Sequence, residues 1–160
     1  ALGTPSKMEY TKAKEEPKKD TIKVQAVLDA IGKNETGGVR GEAYSFHKPS
    51  GSKTMGEDLG KYQVTEGELK SYAKRFLGRI PTKQEFLSSP KLQDQYMSAK
   101  VTFLKENGLT LPEIMALHSQ GMTGWGDPKV VAQKVKDANK HRRGYADRGV
   151  EHYSTSTFNQ

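Results

Sequence analysis

Residues 24–38 read VQAVLDAIGKNETGG, and this stretch decides the fold because a helix ends abruptly within it. Its apolar residues fall at the i, i+3, i+4, i+7 spacing of one helix face: Val24, Val27, Leu28 and Ile31. With Asp20 as the N-cap, this spacing predicts an amphipathic helix that ends at Asn34-Glu35. Gly37-Gly38 follows, so the chain leaves the helix directly after Glu35.

Five further segments downstream carry helix signals. Three of them begin with the spacing of a capping box: Thr65 with Glu68, Thr82 with Glu85, and Thr110 with Glu113. The other two place a proline in the first turn, after Ser89 and after Asp127. The pattern contains no convincing strand pair. It predicts an all-α fold, α+β at most, with a small irregular or β-hairpin segment near residues 36–62.

Residues 36–60 are too rich in turn formers to be helical. They contain Gly37, Gly38, Gly41, Pro49, Gly51, Gly56 and Gly60. An irregular segment of about 25 residues inside a compact domain is more often functional than idle. Its position directly after Glu35 predicts that the functional site lies here.

The composition limits the classes of protein that the chain can belong to. Its 160 residues suit one domain, which we place at residues 21–150, between a flexible basic tail at 1–20 and a polar C-terminal tail at 151–160. The 26 Lys and Arg against 19 Asp and Glu leave a net charge of +7. The chain has 0 Cys and widely scattered His, so we expect no metal site and no cofactor. No apolar run is long enough for a membrane span.

Glu35 is the first candidate for catalysis. A carboxylate at the end of a helix faces the negative end of the helix dipole, and the packing around it removes water. Both effects disfavour the ionised form and raise the pKa of the carboxyl group, which suits a general acid at neutral pH. The alternative is an ordinary solvated Glu at a helix end.

Two short motifs, Glu35-Thr36-Gly37-Gly38 and Gly60-Lys61-Tyr62-Gln63, occur in this order. Together they resemble the lysozyme-like lytic transglycosylases and goose-type lysozymes. That family has Glu-Ser-x-Gly at the end of a helix, a variable loop, and then Gly-Leu-Met-Gln or Gly-x-Tyr-Gln. The match covers residues 22–77 in order and approximate spacing. The segments 78–82 and 85–87, together with Gln93, look like those of phage-borne members.

The resemblance implies a role for each residue of the two motifs. Glu35 is the catalytic acid/base, which protonates the β-1,4 glycosidic oxygen between N-acetylmuramic acid and N-acetylglucosamine in peptidoglycan. Thr36 and Gly37-Gly38 belong to the substrate-binding set, since glycines let the backbone approach the sugar. Gln63 is a hydrogen-bond partner of the sugar and Tyr62 packs behind it. For Tyr62, simple core packing is the alternative.

The family's third motif is Ala-Tyr-Asn-x-Gly, whose Tyr supports the catalytic carboxylate. Its counterpart here is Leu117-His118-Ser119-Gln120-Gly121, with His118 in place of the Tyr. A histidine can donate a hydrogen bond to a carboxylate, and its titration would make the activity sensitive to acid. A purely structural His on a helix is the alternative.

The number of carboxylates distinguishes a lyase from a hydrolase. Two-carboxylate glycosidases need a second acidic group. A lytic transglycosylase needs only one, because the substrate's own groups close a 1,6-anhydro ring. Glu57, Asp58 and Glu66 flank the second motif and are the nearby candidates for a second carboxylate. Goose-type lysozymes carry aspartates on either side of this motif, so the resemblance favours Asp58 and Glu66, although neither has the expected spacing. The lyase is therefore favoured, and hydrolysis stays open.

The resemblance also implies partners and a location. It indicates a bacteriophage virion protein that acts in the host periplasm or cell wall on glycan strands of peptidoglycan, alongside other virion or tail proteins. One alternative is a catalytically inactive peptidoglycan-binding or structural virion module on the same fold. A basic nucleic-acid-binding protein is disfavoured, because no nucleic-acid motif accompanies the basic residues between Lys129 and Arg148.

Overall fold

The computed structural model of the chain describes residues 23–141, and most of these residues are helical. The helices are α1 Val24–Thr36, α2 Glu66–Leu77, α3 Lys83–Leu87, α4 Pro90–Glu106, α5 Leu111–Gln120 and α6 Pro128–His141. All six predicted helical segments are therefore confirmed, and α1 extends one residue beyond the predicted end. The predicted cap Asp20 and the predicted tails 1–20 and 151–160 lie outside the described residues.

A three-stranded antiparallel sheet lies between α1 and α2 in the chain. Its strands are β1 His47–Pro49, β2 Glu57–Leu59 and β3 Val64–Thr65, in the order β1-β2-β3. Leu59 pairs with His47 on one side and with Val64 on the other. The expectation of no strand pair was wrong, because strands of two or three residues are too short to show an alternating pattern. The α+β alternative describes this segment, and the sheet extends just beyond residue 62.

Local side-chain caps fix where several helices begin. The Thr82 hydroxyl accepts from the Glu85 N–H at 3.1 Å while the Glu85 carboxylate accepts from the Thr82 N–H at 2.8 Å, a complete capping box. Thr65 accepts from the Glu68 N–H at 3.0 Å. The Glu68 side chain does not return to Thr65, and instead points inward, where it is 5% exposed.

The described chain forms two compact units. The first, which we call the sheet unit, is Leu28–Lys100 and contains the sheet with α2 and α3. The second, which we call the terminal unit, comprises residues 23–27 and 101–141 and contains α5 and α6, packed through Ala116 and Ala138. The core of the sheet unit includes Leu28, Ile31, Leu59, Tyr62, Phe86, Tyr96 and Met97.

A buried ion pair lies within the sheet unit. Lys100 Nζ is 2.9 Å from Glu68 Oε2 and 3.1 Å from Oε1, and the two side chains are 1% and 6% exposed. The Tyr96 hydroxyl donates to Glu68 Oε2 at 2.7 Å. Burial and the adjacent Glu68 charge raise the pKa of Tyr96 far above its usual value, so the phenol stays protonated and donates.

Candidate active site

Glu35 lies at the C-terminal end of α1. It is the penultimate residue of the helix, and its side chain is half-buried. Its neighbour Thr36 is only 4% exposed. The Thr36 hydroxyl is 3.1 Å from the Gly32 carbonyl oxygen and 2.9 Å from the Lys61 carbonyl oxygen. The end of the helix is therefore attached directly to the second predicted motif.

That motif, Gly60 to Gln63, forms the turn between β2 and β3, and Gly60 is required there for two reasons. Its φ is +77°, in the region that favours glycine. A Cβ at Gly60 would also collide with the side-chain amide of Gln93. The Gly60 N–H donates to the Phe46 carbonyl at 2.7 Å, which holds the turn against the segment before β1.

Gln93, on α4, supports the turn from behind. It is 0% exposed, and its side-chain amide makes three hydrogen bonds, all to backbone groups. Its Oε1 accepts from the Lys61 N–H at 3.0 Å, and its Nε2 donates to the carbonyls of Tyr44 and Phe86, each at 2.8 Å. One buried amide thus connects three segments that are distant in the chain.

The next residue of α4, Asp94, holds two aromatic side chains. Its Oδ1 accepts from the Tyr44 hydroxyl at 2.8 Å and from the Tyr62 hydroxyl at 2.6 Å. The two rings meet edge to face, with centroids 6.3 Å apart. Burial and the hydrogen bond to Asp94 raise the pKa of Tyr62 far above its usual value, so Tyr62 remains a donor. Tyr62 is thus buried, at 1% exposure, and its part in substrate binding stays a prediction.

Gln63 has the least satisfied side chain of the site. Its φ is +56°, the one positive value among non-glycine residues in the described chain, and it is 8% exposed. Its Nε2 donates to the Gly60 carbonyl at 2.8 Å and lies 3.4 Å from that of Phe46. Those two acceptors fix the orientation of the amide. Within residues 23–141, its buried Oε1 has no hydrogen-bond partner.

Such an arrangement is costly unless a water molecule or a ligand completes it. An unsatisfied buried polar group costs about 1–3 kcal/mol. A non-glycine residue in the left-handed region adds about 1–3 kcal/mol. Both costs fall on Gln63, and such features concentrate at functional sites. Its Oε1 is an acceptor and therefore suits an N–H or O–H donor from a ligand.

The two glycines after Thr36 differ in their surroundings. A Cβ at Gly37 would collide with the Lys33 carbonyl, to which the Gly37 N–H donates at 2.9 Å. Gly37 is therefore needed to end α1, whether or not a sugar binds. A Cβ at Gly38 would meet nothing within 4 Å among the described residues. Of the two, Gly38 is the position that an approaching ligand could use.

The two candidates for a second carboxylate lie on either side of the turn. Asp58 is half-buried on β2, opposite Thr65 of β3. Glu66 begins α2, and its Oε2 accepts from the Glu57 N–H at 2.8 Å. Glu66 therefore already holds the start of β2. Its role in hydrolysis, like that of Asp58, stays a prediction.

His118 lies in the terminal unit, in the last turn of α5, where it is half-buried. The remaining predicted residues, from Glu35 to Glu66, lie in the sheet unit. The support of Glu35 by His118 therefore stays a prediction.

Sequence reasoning missed the residues that support the turn. The sequence patterns assign no role to Tyr44 or Asp94. Lys61 occupies the variable position of the second motif, and Gln93 is named only with the segments that look like those of phage-borne members. Gln93 shares the i, i+3, i+7 face of α4 with the buried residues Tyr96 and Lys100, and its polar side chain there gives no signal that would reveal its partners.

The described residues set the remaining limits on the site. Within residues 23–141, no three His, Asp or Glu side chains come together in a way that could hold a metal ion. None of the helices described is long and apolar enough to cross a bilayer. Comparisons of the chain with protein-family models, with curated proteins and with solved structures gave no match.

Proposed function

We propose that the chain is a peptidoglycan-cleaving enzyme with a lysozyme-like fold, acting as a lytic transglycosylase with Glu35 as the general acid/base. The observation that carries the proposal is the buried, unpartnered Oε1 of Gln63 within the described chain. N-acetylated sugars present amide N–H and hydroxyl donors, which are the groups that this acceptor lacks. The resemblance of the two motifs supplies the substrate class.

The connection between the motifs supports the assignment of Glu35. Thr36, directly after Glu35, bonds to Lys61, and Lys61 lies two residues before Gln63. The acid and the proposed sugar acceptor are thus attached to one hydrogen-bonded frame. A frame of this kind reduces the freedom of both groups before substrate binds, which favours catalysis.

The proposed chemistry needs one carboxyl group. Glu35 donates its proton to the glycosidic oxygen as the bond from C1 of N-acetylmuramic acid breaks, which releases the next sugar with a free hydroxyl. The resulting carboxylate accepts the proton of the muramic C6 hydroxyl while that oxygen bonds to C1. The product carries a 1,6-anhydro ring, Glu35 is again protonated, and no water is consumed.

A glycan-binding module without catalysis is the second candidate. The observation that favours it is His118, at the position where the family has a Tyr that supports the acid. In that case Gln63 would hold a sugar that Glu35 does not cleave. In either case we propose that the chain acts on the host cell wall as part of a bacteriophage particle.

Mass spectrometry of the muropeptides released from purified peptidoglycan tests the proposal. We expect anhydro-muramyl products, lighter by one water than reducing-end products, from the wild-type chain and none from Glu35→Gln. Glu42→Gln is the matched control, since Glu42 is an exposed carboxylate in the segment that connects α1 to β1. Reducing-end products would instead indicate hydrolysis with Asp58 or Glu66. Saturable binding without release would indicate the binding module, and activity retained by Glu35→Gln would contradict the site.

A further inference from the structure

Lys61 is a half-buried cation beside the proposed site. Among residues 23–141, no carboxylate lies within ion-pair distance, 4.0 Å, of its Nζ. Two other shielded lysines have clear partners, since Lys100 pairs with Glu68 and Lys134 donates to the Gly121 carbonyl at 2.6 Å. The ammonium of Lys61 therefore has donors to offer a ligand.

The side chain of Lys61 is nevertheless held in place. Its Nζ lies 5.0 Å from the centroid of the Tyr44 ring and 5.6 Å from that of Tyr62, within the range of cation–π attraction. Both phenols are tied to Asp94, so the two rings form a fixed support. Its stem passes over Gly32 of α1, where a Cβ would lie 2.7 Å from Lys61 Cε.

Both backbone polar groups of Lys61 are hydrogen-bonded. Its N–H donates to Gln93 and its carbonyl accepts from Thr36. Because backbone and side chain are both ordered before a ligand arrives, binding loses little of the rotamer entropy that a free lysine would give up. Ring faces stabilise an ammonium group but accept none of its three N–H donors in the way that an oxygen does.

We infer that Lys61 binds a carboxylate on the muramic acid substituent of the glycan strand, and so selects muramic-acid-bearing glycans over neutral ones. This inference rests on the proposed function. N-acetylated sugar rings are uncharged, so the negative charge of a peptidoglycan strand comes from carboxylates. These belong to the lactyl ether where the stem peptide is absent, or to the stem peptide where it is present.

The position of Lys61 favours a carboxylate on the muramic acid substituent as its partner. Its stem contacts Gly32, three residues before Glu35 on the same helix. Glu35 is proposed to act on the bond at C1 of muramic acid, and the lactyl group is attached to the same sugar. Because the stem of Lys61 contacts the helix that carries the acid, we place its ammonium beside the substituent of the sugar that is cleaved.

Binding to three glycans, measured by calorimetry in the Glu35→Gln background to prevent turnover, tests the inference. The ligands are a chito-oligosaccharide without carboxylates, peptide-free glycan strands with lactyl carboxylates, and strands with stem peptides. Loss of a charge-assisted hydrogen bond costs about 1.5–3 kcal/mol, so Lys61→Met should weaken binding of a carboxylate-bearing ligand at least about tenfold. The affinity of the Lys61→Met chain for the chito-oligosaccharide should stay within about twofold of that of the Glu35→Gln chain.

Further variants separate charge from folding. Lys61→Arg should keep most of the affinity, and Lys70→Met, at an exposed lysine of α2, should keep all of it. A measurement without any variant at Lys61 adds to these: raising the salt should weaken binding of the charged strands and leave the chito-oligosaccharide unchanged. If Lys61→Met does not fold, Lys61→Gln takes its place with the same expected loss.

The outcomes are distinct. A selective loss with peptide-free strands supports lactyl recognition, and one confined to strands with stem peptides supports peptide recognition. An equal loss for the neutral ligand, or no loss with Lys61→Met, overturns the inference while the proposed function stands if the wild type releases muropeptides. If the wild type releases none and the Glu35→Gln chain binds no glycan, the proposed function fails and the inference with it.

Discussion

The Thr36 hydroxyl lies 2.9 Å from the carbonyl oxygen of Lys61, across 25 residues of chain. Because Thr36 is 4% exposed, the donor side of this hydrogen bond is shielded from water. It joins the helix end that carries Glu35 to the turn that carries Gln63. The same Lys61 residue is held on its N–H side by Gln93. The two motifs therefore behave as one frame, although a variable segment separates them in sequence.

Removing this hydroxyl should loosen the frame. In Thr36→Val, an isosteric change, the part-buried Lys61 carbonyl loses its donor, so we expect the free energy of unfolding to fall by about 0.5–1.5 kcal/mol. Thr36→Ser keeps the hydroxyl and should lose less. Urea unfolding at neutral pH measures both, and a Val variant as stable as the wild type would show that the contact contributes nothing to stability.

The pair Gly37 and Gly38 allows folding and substrate approach to be tested separately. Gly37→Ala brings a Cβ against the Lys33 carbonyl, and we expect it to destabilise the chain by more than about 1 kcal/mol. Gly38→Ala meets no described atom within 4 Å, so its stability should stay at or slightly above that of the wild type. Thermal unfolding of the two variants measures this difference.

Gly38→Ala then serves as the matched probe of the proposed function. If the backbone at Gly38 approaches a sugar, the added methyl group lowers kcat/KM on peptidoglycan without a loss of stability. Full activity of a stable Gly38→Ala chain would remove Gly38 from the substrate-binding set.

The helices could be predicted because their signals are local. The Thr82 capping box and the first turn at Pro90 each involve residues within three or four positions, and both begin helices as predicted. The lengths of β1, β2 and β3 explain the missed sheet. These strands are defined by the hydrogen bonds between them. Each is too short for the alternation of its side chains to be recognised in the sequence.

The supports of the site could not be predicted, because they connect distant residues. Asp94 lies 32 residues from Tyr62 and 50 from Tyr44, and no spacing rule selects these partners. Glu68 shows the opposite difficulty. Its spacing from Thr65 indicates a capping box, yet its carboxylate pairs with Lys100, because a buried cation offers a stronger partner than a half-buried helix end.

The charge cluster at the sheet edge predicts a contribution to stability that depends on pH. Glu57 Oε1 accepts from Lys83 Nζ at 2.8 Å and lies 3.2 Å from His47 Nδ1. The hydrogen bond from Lys83, more than that from His47, lowers the pKa of Glu57 below its usual 4.5. A lowered pKa stabilises the fold above the pKa of the unfolded chain, and this contribution is lost as the pH falls through the folded value.

We therefore expect the melting temperature of the wild type to fall more than that of Glu57→Gln between about pH 5.5 and pH 3. Glu42→Gln, which removes an exposed carboxylate from the segment between α1 and β1, should behave like the wild type. Carbon-detected NMR titration of Glu57 should also give a higher pKa in Lys83→Met than in the wild type. Parallel melting curves for wild type and Glu57→Gln at both pH values would contradict this account.

The buried pair of Glu68 and Lys100 should show strong coupling. Lys100→Met leaves the Glu68 carboxylate inside the sheet unit without the cation 2.9 Å away, which typically costs about 3–5 kcal/mol. Adding Glu68→Gln removes the uncompensated charge and keeps an oxygen that accepts from Tyr96. The double variant should therefore be more stable than Lys100→Met alone, by urea unfolding, because the two substitutions act on one interaction. Lys70→Met, at an exposed lysine of α2, controls for the change of residue type. A double variant less stable than the single one would show that Glu68 is stabilised mainly by contacts other than Lys100.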